Sequence, residues 1–241
     1  MNSKKVKNQS AKVLANVSLK LGKMSADSAC CYIYHQPKMP EALKKMKIFN
    51  MKYFSEKLTG YIVKSGAVPE ESYEIYQYGF QIGLEMLSCL LACFGIAVYL
   101  HMIPEFAVVT GIFMMLRSFV GGVHLNSFSA CFMCSVTVQT LVLVVNRLYT
   151  QPLNAAWGII VLSSILIWNM APVQSINREL DADEKRHCRK VAVKIIAGIY
   201  VFAGICTLTG MKAIVSLVAV TMAVVLISQY IGVVKYKIEK R

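Results

Sequence analysis

Residues 117–134, RSFVGGVHLNSFSACFMC, hold the groups best suited to covalent chemistry. Gly121-Gly122 interrupts helix, His124 follows, and Asn126 or Ser127 is a natural N-cap for a helix starting near Phe128. Cys131 then falls in or near the first turn of that helix. A helix N-terminus favours a thiolate, and a nearby imidazole can take its proton. His124 and Cys131 are therefore candidates for base and nucleophile. On one continuous helix seven residues rise about 10.5 Å, which is long for a direct hydrogen bond. The Gly-Gly and Asn-Ser breaks let the histidine fold back over the helix start.

Other readings fit the same residues. His124, Cys131 and Cys134 carry metal-ligand chemistry, but a structural zinc site needs four ligands. The other His/Cys pair in a connecting segment, His187-Cys188, lies far along the chain. A CxxC redox pair normally sits in a thioredoxin-like βαβ context. The plainest reading has His124 capping a helix and the cysteines filling space. No metal and no cofactor is assigned. Glu85 lies within an apolar run, GFQIGLEMLSCLL, where a carboxylate calls for a polar partner. Arg117 and His124 are the candidates, which makes Glu85 either an orienter of the histidine or half of a structural ion pair.

The elements that must position these groups are membrane helices. The chain has 241 residues, 56% hydrophobic and 16% charged, with a net charge of +13. Soluble domains average about 45–50% apolar and about 25% charged. From Tyr78 onward six apolar runs follow, near 78–100, 103–116, 128–148, 155–173, 191–209 and 212–233. A span needs about 20 residues, so the second run is short and reads as tilted or re-entrant. Arg178, Lys185, Arg186, Arg189 and Lys190 fill the connection 174–190, and Lys235, Lys237, Lys240 and Arg241 fill the tail. The alternate connections hold at most one Lys or Arg each. The positive-inside rule then puts both termini, the 117–127 connection and the 174–190 connection in the cytoplasm. The expected fold is an all-α integral membrane protein of about six spans, in the cell membrane, with amphipathic surface helices at its N-terminus.

The N-terminal region is basic, with 13 of the 26 Lys/Arg in residues 1–77. Val13, Leu14, Val17, Leu21 and Met24 recur at helical spacing, which predicts a helix lying on anionic lipid. Pro37 and Pro40 predict an extended stretch over residues 26–40, and a second amphipathic segment is expected near 51–64. The irregular cysteine spacing reads as free thiols rather than a disulfide framework.

Arg117, Gly121-Gly122, His124 and Cys131 resemble the signature of the accessory gene regulator B family. These are integral-membrane cysteine endopeptidases of Gram-positive quorum sensing. The hydropathy of 51–235, the YGFQIGLE that opens the first span and the APVQSIN after the fourth are similar too. The resemblance implies His124 as base and Cys131 as nucleophile. The preceding residues resemble the family's substrate, a cyclic-autoinducer propeptide. They divide as leader helix 1–24, signal segment 25–34 and tail 35–46. Residues 47–77 then form a membrane-surface segment and 78–241 the peptidase domain. The spacing of Cys30 to Pro37, Pro40 and Leu43 matches that pattern, placing the ring at Cys30–Tyr34 and the scissile bond at Tyr34–His35. Cys31 as ring residue gives a smaller ring and a poorer tail match. The implied partners are the propeptide, in cis or in trans, membrane lipids and further copies of the chain.

Two other classes compete. A small polytopic transporter or channel would place Glu85 and Arg117 on a polar pathway and would not need Cys131. A regulatory anchor would use the basic N-terminus to hold a partner and leave it uncut. Nucleic-acid binding is disfavoured, because membrane topology already accounts for the positive charge.

Overall fold

The computed structural model describes residues 9, 11–19, 51–123, 128–173 and 181–239. Among them regular structure is helical throughout. A helical stretch at 11–19 precedes α1 (Met51–Lys64), a 3-10 turn at Glu70–Ser72 and α2 (Tyr73–Tyr99). Then come α3 (Ile103–Val120), α4 (Phe128–Leu148), α5 (Leu153–Met170), α6 (Ala182–Leu208) and α7 (Lys212–Glu239). Six of these helices, α2 to α7, are long and apolar enough to cross a bilayer. The chain is an all-α integral membrane protein, as its hydropathy predicts. It forms two compact units, Met1–Leu90 and Leu91–Arg241.

In the first unit, residues 11–19 pack on α1 and on the start of α2. Ala11 and Ala15 join Ile62, Val68 and Phe80 in one buried cluster. Ser18 is also buried, and its hydroxyl donates to the Tyr76 carbonyl at 2.8 Å. A Cβ on Gly79 would run into the Ser18 main chain. The close approach therefore depends on small residues at helical spacing, the device that lets membrane helices meet backbone to backbone. The apolar face expected from the sequence is divided. Leu14 does pack on the cluster, but Val13 and Val17 are exposed, and the buried stripe is alanine and serine. Helix α1 forms where the second amphipathic segment is expected. It buries Ser55, Thr59 and Ile62 and exposes Tyr53, Phe54 and Tyr61. Exposed aromatics of that kind favour a membrane interface.

The second unit is built around α7, which packs against α3, α4, α5 and α6. Its most apolar window is 44% buried, against 17–28% for the other spans, which makes it the central helix. Leu87 and Leu91 on α2, and Leu162, Val201 and Ile227 on other spans, are exposed. They suit hydrocarbon, where outward apolar side chains need no other cover. Polar side chains join helices inside: Asn146 Nδ2 donates to the Ala213 carbonyl at 3.2 Å, and Gln139 Nε2 donates to Thr110 Oγ1.

Of the boundaries that differ from the sequence expectation, two involve charged residues. The second span runs on past residue 116 to Val120, so α3 has 18 residues. That corresponds to about 27 Å, close to a hydrocarbon core of roughly 30 Å. Arg117 does not end it, because its guanidinium finds acceptors within the bundle. The fifth span begins at Ala182, well before the apolar run at 191. A capping box starts it: the Asp181 side chain accepts the Glu184 amide, and the Glu184 side chain accepts the Asp181 amide. Residues 181–190, expected as part of a solvated connection, therefore lie at the start of a helix.

Candidate active site

The end of α3 is held in a defined frame. Arg117, in its last turn, donates through Nη1 to Ser228 Oγ at 2.6 Å and through Nη2 to the Val123 carbonyl. The guanidinium also lies 5.7 Å from the centroid of the Phe113 ring. From the other side, the Val123 amide donates to the Ser228 carbonyl at 2.9 Å, and the Val173 amide donates to the Val120 carbonyl at 3.0 Å. Residues 120–123 are thus tied to α7 and to the segment after α5. Hydrogen bonds to a charged group contribute about 1.5–3 kcal/mol each, so the arginine is a strong part of this clamp.

The glycine pair is required by this geometry. Gly121 has φ +82°, a region L side chains avoid, and an added Cβ would sit 3.0 Å from the Val173 carbonyl oxygen. At Gly122 a Cβ would meet Arg117 Nη1 and would lie 2.8 Å from Ser228 Oγ. Gly232 completes the fit from α7: its Cβ would lie 2.7 Å from the Gly122 carbonyl carbon. Backbone therefore meets backbone where α3 ends, and the chain leaves Val123 toward residue 124 from a fixed point.

Cys131 stands in the first turn of α4, half-buried. α4 is described from Phe128 onward. Cys134, one turn further, is exposed. Among the described residues no three of His, Cys, Asp and Glu converge to hold a metal. Glu85 is half-buried on α2, and its Oε1 accepts from Gln81 Nε2 at 3.1 Å. His124 and the substrate-like Cys30, Tyr34 and His35 lie outside the described residues. Arg117, Gly121, Gly122 and Cys131 are all placed, the first three within one frame.

Sequence reasoning missed Ser228, Gly232 and Val173, which complete that frame. A signal was present for two of them: Ser228 and Gly232 are four apart in α7, the small-xxx-small spacing of close helix contacts.

Residues 55–233 match the sequence model of a family described as Accessory gene regulator B. The chain belongs to the accessory gene regulator B family. No curated protein and no solved structure matches it. Membership makes the chain a membrane protein of quorum sensing with a role in propeptide processing. The match spans α2 to α6, most of α7 and all of the frame residues. It begins at residue 55, after the substrate-like segment.

Proposed function

We propose that the protein is a cysteine endopeptidase that cuts a quorum-sensing propeptide and closes it into a thiolactone. The observation that carries this reading is a half-buried thiol, Cys131, in the first turn of α4, in a chain whose family processes such propeptides. The clamped Gly-Gly segment leads directly into His124 in sequence. Helix-end amides stabilise a thiolate there, and a base delivered from a fixed backbone meets the requirement for a Cys–His pair.

The reaction has two acyl transfers. His124 takes the proton from Cys131 Sγ, and the thiolate attacks the Tyr34 carbonyl carbon. The Tyr34–His35 C–N bond breaks, and His124 returns the proton to the leaving amine. The resulting acyl thioester on Cys131 is attacked by the Cys30 thiol. Cys131 leaves as a thiol, and a five-residue thiolactone forms. One thioester replaces another, so the second step runs near energetic balance when water is excluded. Attacking thiol and thioester belong to one short peptide, which supplies proximity. The Gly121 and Val123 amides are both engaged in backbone hydrogen bonds, to the Arg117 and Ser228 carbonyls. The first-turn amides of α4 are therefore the better oxyanion donors. Arg117 serves as a positioning residue, holding the segment from which His124 departs.

Residues 1–46 act as the substrate, processed in cis or supplied separately. Packing of residues 11–19 on α1 and α2 supports a leader held by the enzyme's own N-terminal helices. Both termini and the site face the cytoplasm, by the loop charge. The test is cleavage in membranes by wild type, Cys131→Ala and Cys134→Ala. The reading requires loss only with Cys131→Ala. Cleavage that survives Cys131→Ala contradicts it.

A further inference from the structure

One cavity in the second unit, of about 1020 Å³, shares Val173 with the frame but is lined by none of the proposed reacting groups. It opens between the end of α5, the start of α6 and the end of α7. Its lining is of two kinds. Lys185, Arg186, Arg189, Lys190 and Lys194 line one side, and the described lining residues include no carboxylate. Met170, Ala171, Pro172 and Val173, at and after the end of α5, and Val233 on α7 supply an apolar wall, and Val193 lies on α6 among the cations. Trp168 and Tyr236 also contribute, and such rings favour the headgroup level of a bilayer. Of the nearby acids, Asp181 and Glu184 are used in the capping box of α6, and Asp183, in the same first turn, does not line the cleft. Arg189 Nε donates to the Ala171 carbonyl at 2.9 Å, which fixes one cation against the apolar wall.

We infer that this cleft binds the phosphodiester headgroup of an anionic phospholipid, with the start of its acyl chains on the apolar wall. Charge complementarity carries the argument. Five cations around one cleft call for an anion, and basic clefts between membrane helices suit phosphate headgroups. The apolar wall selects a lipid over a free anion. The volume points the same way, since pockets of roughly 300–1,000 Å³ hold whole small molecules. The chain's own tail-like segment is not the occupant: residues 35–46 carry Lys38, Lys44 and Lys45 against Glu41 alone. The inference rests on the membrane fold and not on the peptidase reading.

The test uses the full chain purified in detergent and exposed to equal phosphatidylglycerol and phosphatidylcholine, with retained lipid counted by mass spectrometry. Wild type is expected to enrich phosphatidylglycerol. Arg186→Gln/Lys190→Gln/Lys194→Gln should weaken its binding on the order of a hundred-fold, from the usual contribution of three surface cations. Lys57→Gln/Lys64→Gln/Lys212→Gln removes the same charge elsewhere and should keep the enrichment. Equal retention of the two lipids by wild type, or equal loss in both triple variants, overturns the inference. Glycerol phosphate is the soluble arm. Displacement of the lipid by millimolar glycerol phosphate would show a simple anion site and overturn the lipid assignment. Photoactivatable phosphatidylglycerol on wild type needs no variant to fold. Labelling within 168–173 or 185–194 supports the cleft, and labelling confined to other peptides refutes it.

Discussion

Gly232→Ala tests the frame where it is tightest. The new methyl would lie 2.7 Å from the Gly122 carbonyl carbon, 2.9 Å from its oxygen and 3.0 Å from the Val123 nitrogen. Carbon atoms prefer about 3.5–4.0 Å, so the segment must retreat by about 1 Å. All three atoms are backbone, and no rotamer change relieves the clash. Overpacking of this kind costs about 1–3 kcal/mol. Retreat also stretches the 2.9 Å bond from the Val123 amide to the Ser228 carbonyl, a further loss of about 0.5–1.5 kcal/mol. Misplacement of a catalytic base by about 1 Å can cost about a hundred-fold in rate. The assay is the initial rate of propeptide cleavage in membranes, with the melting temperature measured in parallel. Gly198→Ala is the control: nothing lies within 4 Å of its added methyl. It should leave the rate unchanged. A Gly232→Ala enzyme that cleaves at the wild-type rate would refute the claim that this contact positions the site.

Other expectations follow from the same contacts. Arg117→Lys keeps the charge but loses the planar fork that reaches Ser228 and Val123 together, so kcat should fall by tenfold or more with KM little changed. Ser228→Ala removes one of those acceptors and should be milder than Arg117→Ala, which removes the clamp, when both are compared by single-turnover rates. Gly79→Val should displace residues 11–19 by striking the Ser18 main chain. Limited trypsin digestion would then cut faster at Lys12 than in wild type, a readout that needs no peptidase activity. Asp181→Ala opens the capping box of α6 and should cost about 0.5–2 kcal/mol, visible as a lower melting temperature.

Much of the fold was legible because hydrocarbon imposes one simple demand, about 20 apolar residues per span. The break after α3 was legible too, because Gly121-Gly122 interrupts helix. Charge misled at two places. Arg117 looks like the end of a span until Ser228, more than a hundred residues away, is seen to accept its hydrogen bond. Lys185 to Lys190 look like loop until the capping box shows where the helix starts. The buried face of residues 11–19 was hidden because packing there follows small size rather than hydrophobicity, which put Ala15 inside and Val13 outside. In the site, Arg117 and the glycine pair were visible as a local motif. Gly232 was not, since its role exists only where α7 crosses the end of α3.

The central claim is tested most directly by mass spectrometry of this chain in membranes, beside Cys131→Ala and His124→Ala. The account predicts a tail beginning at His35 and a residue-34 product one water lighter than its linear acid, both absent from the two variants. A linear acid alone would contradict the cyclisation. Intact wild-type chain that also fails to cut a separately added propeptide, or full cleavage by Cys131→Ala, would contradict the cysteine endopeptidase assignment itself.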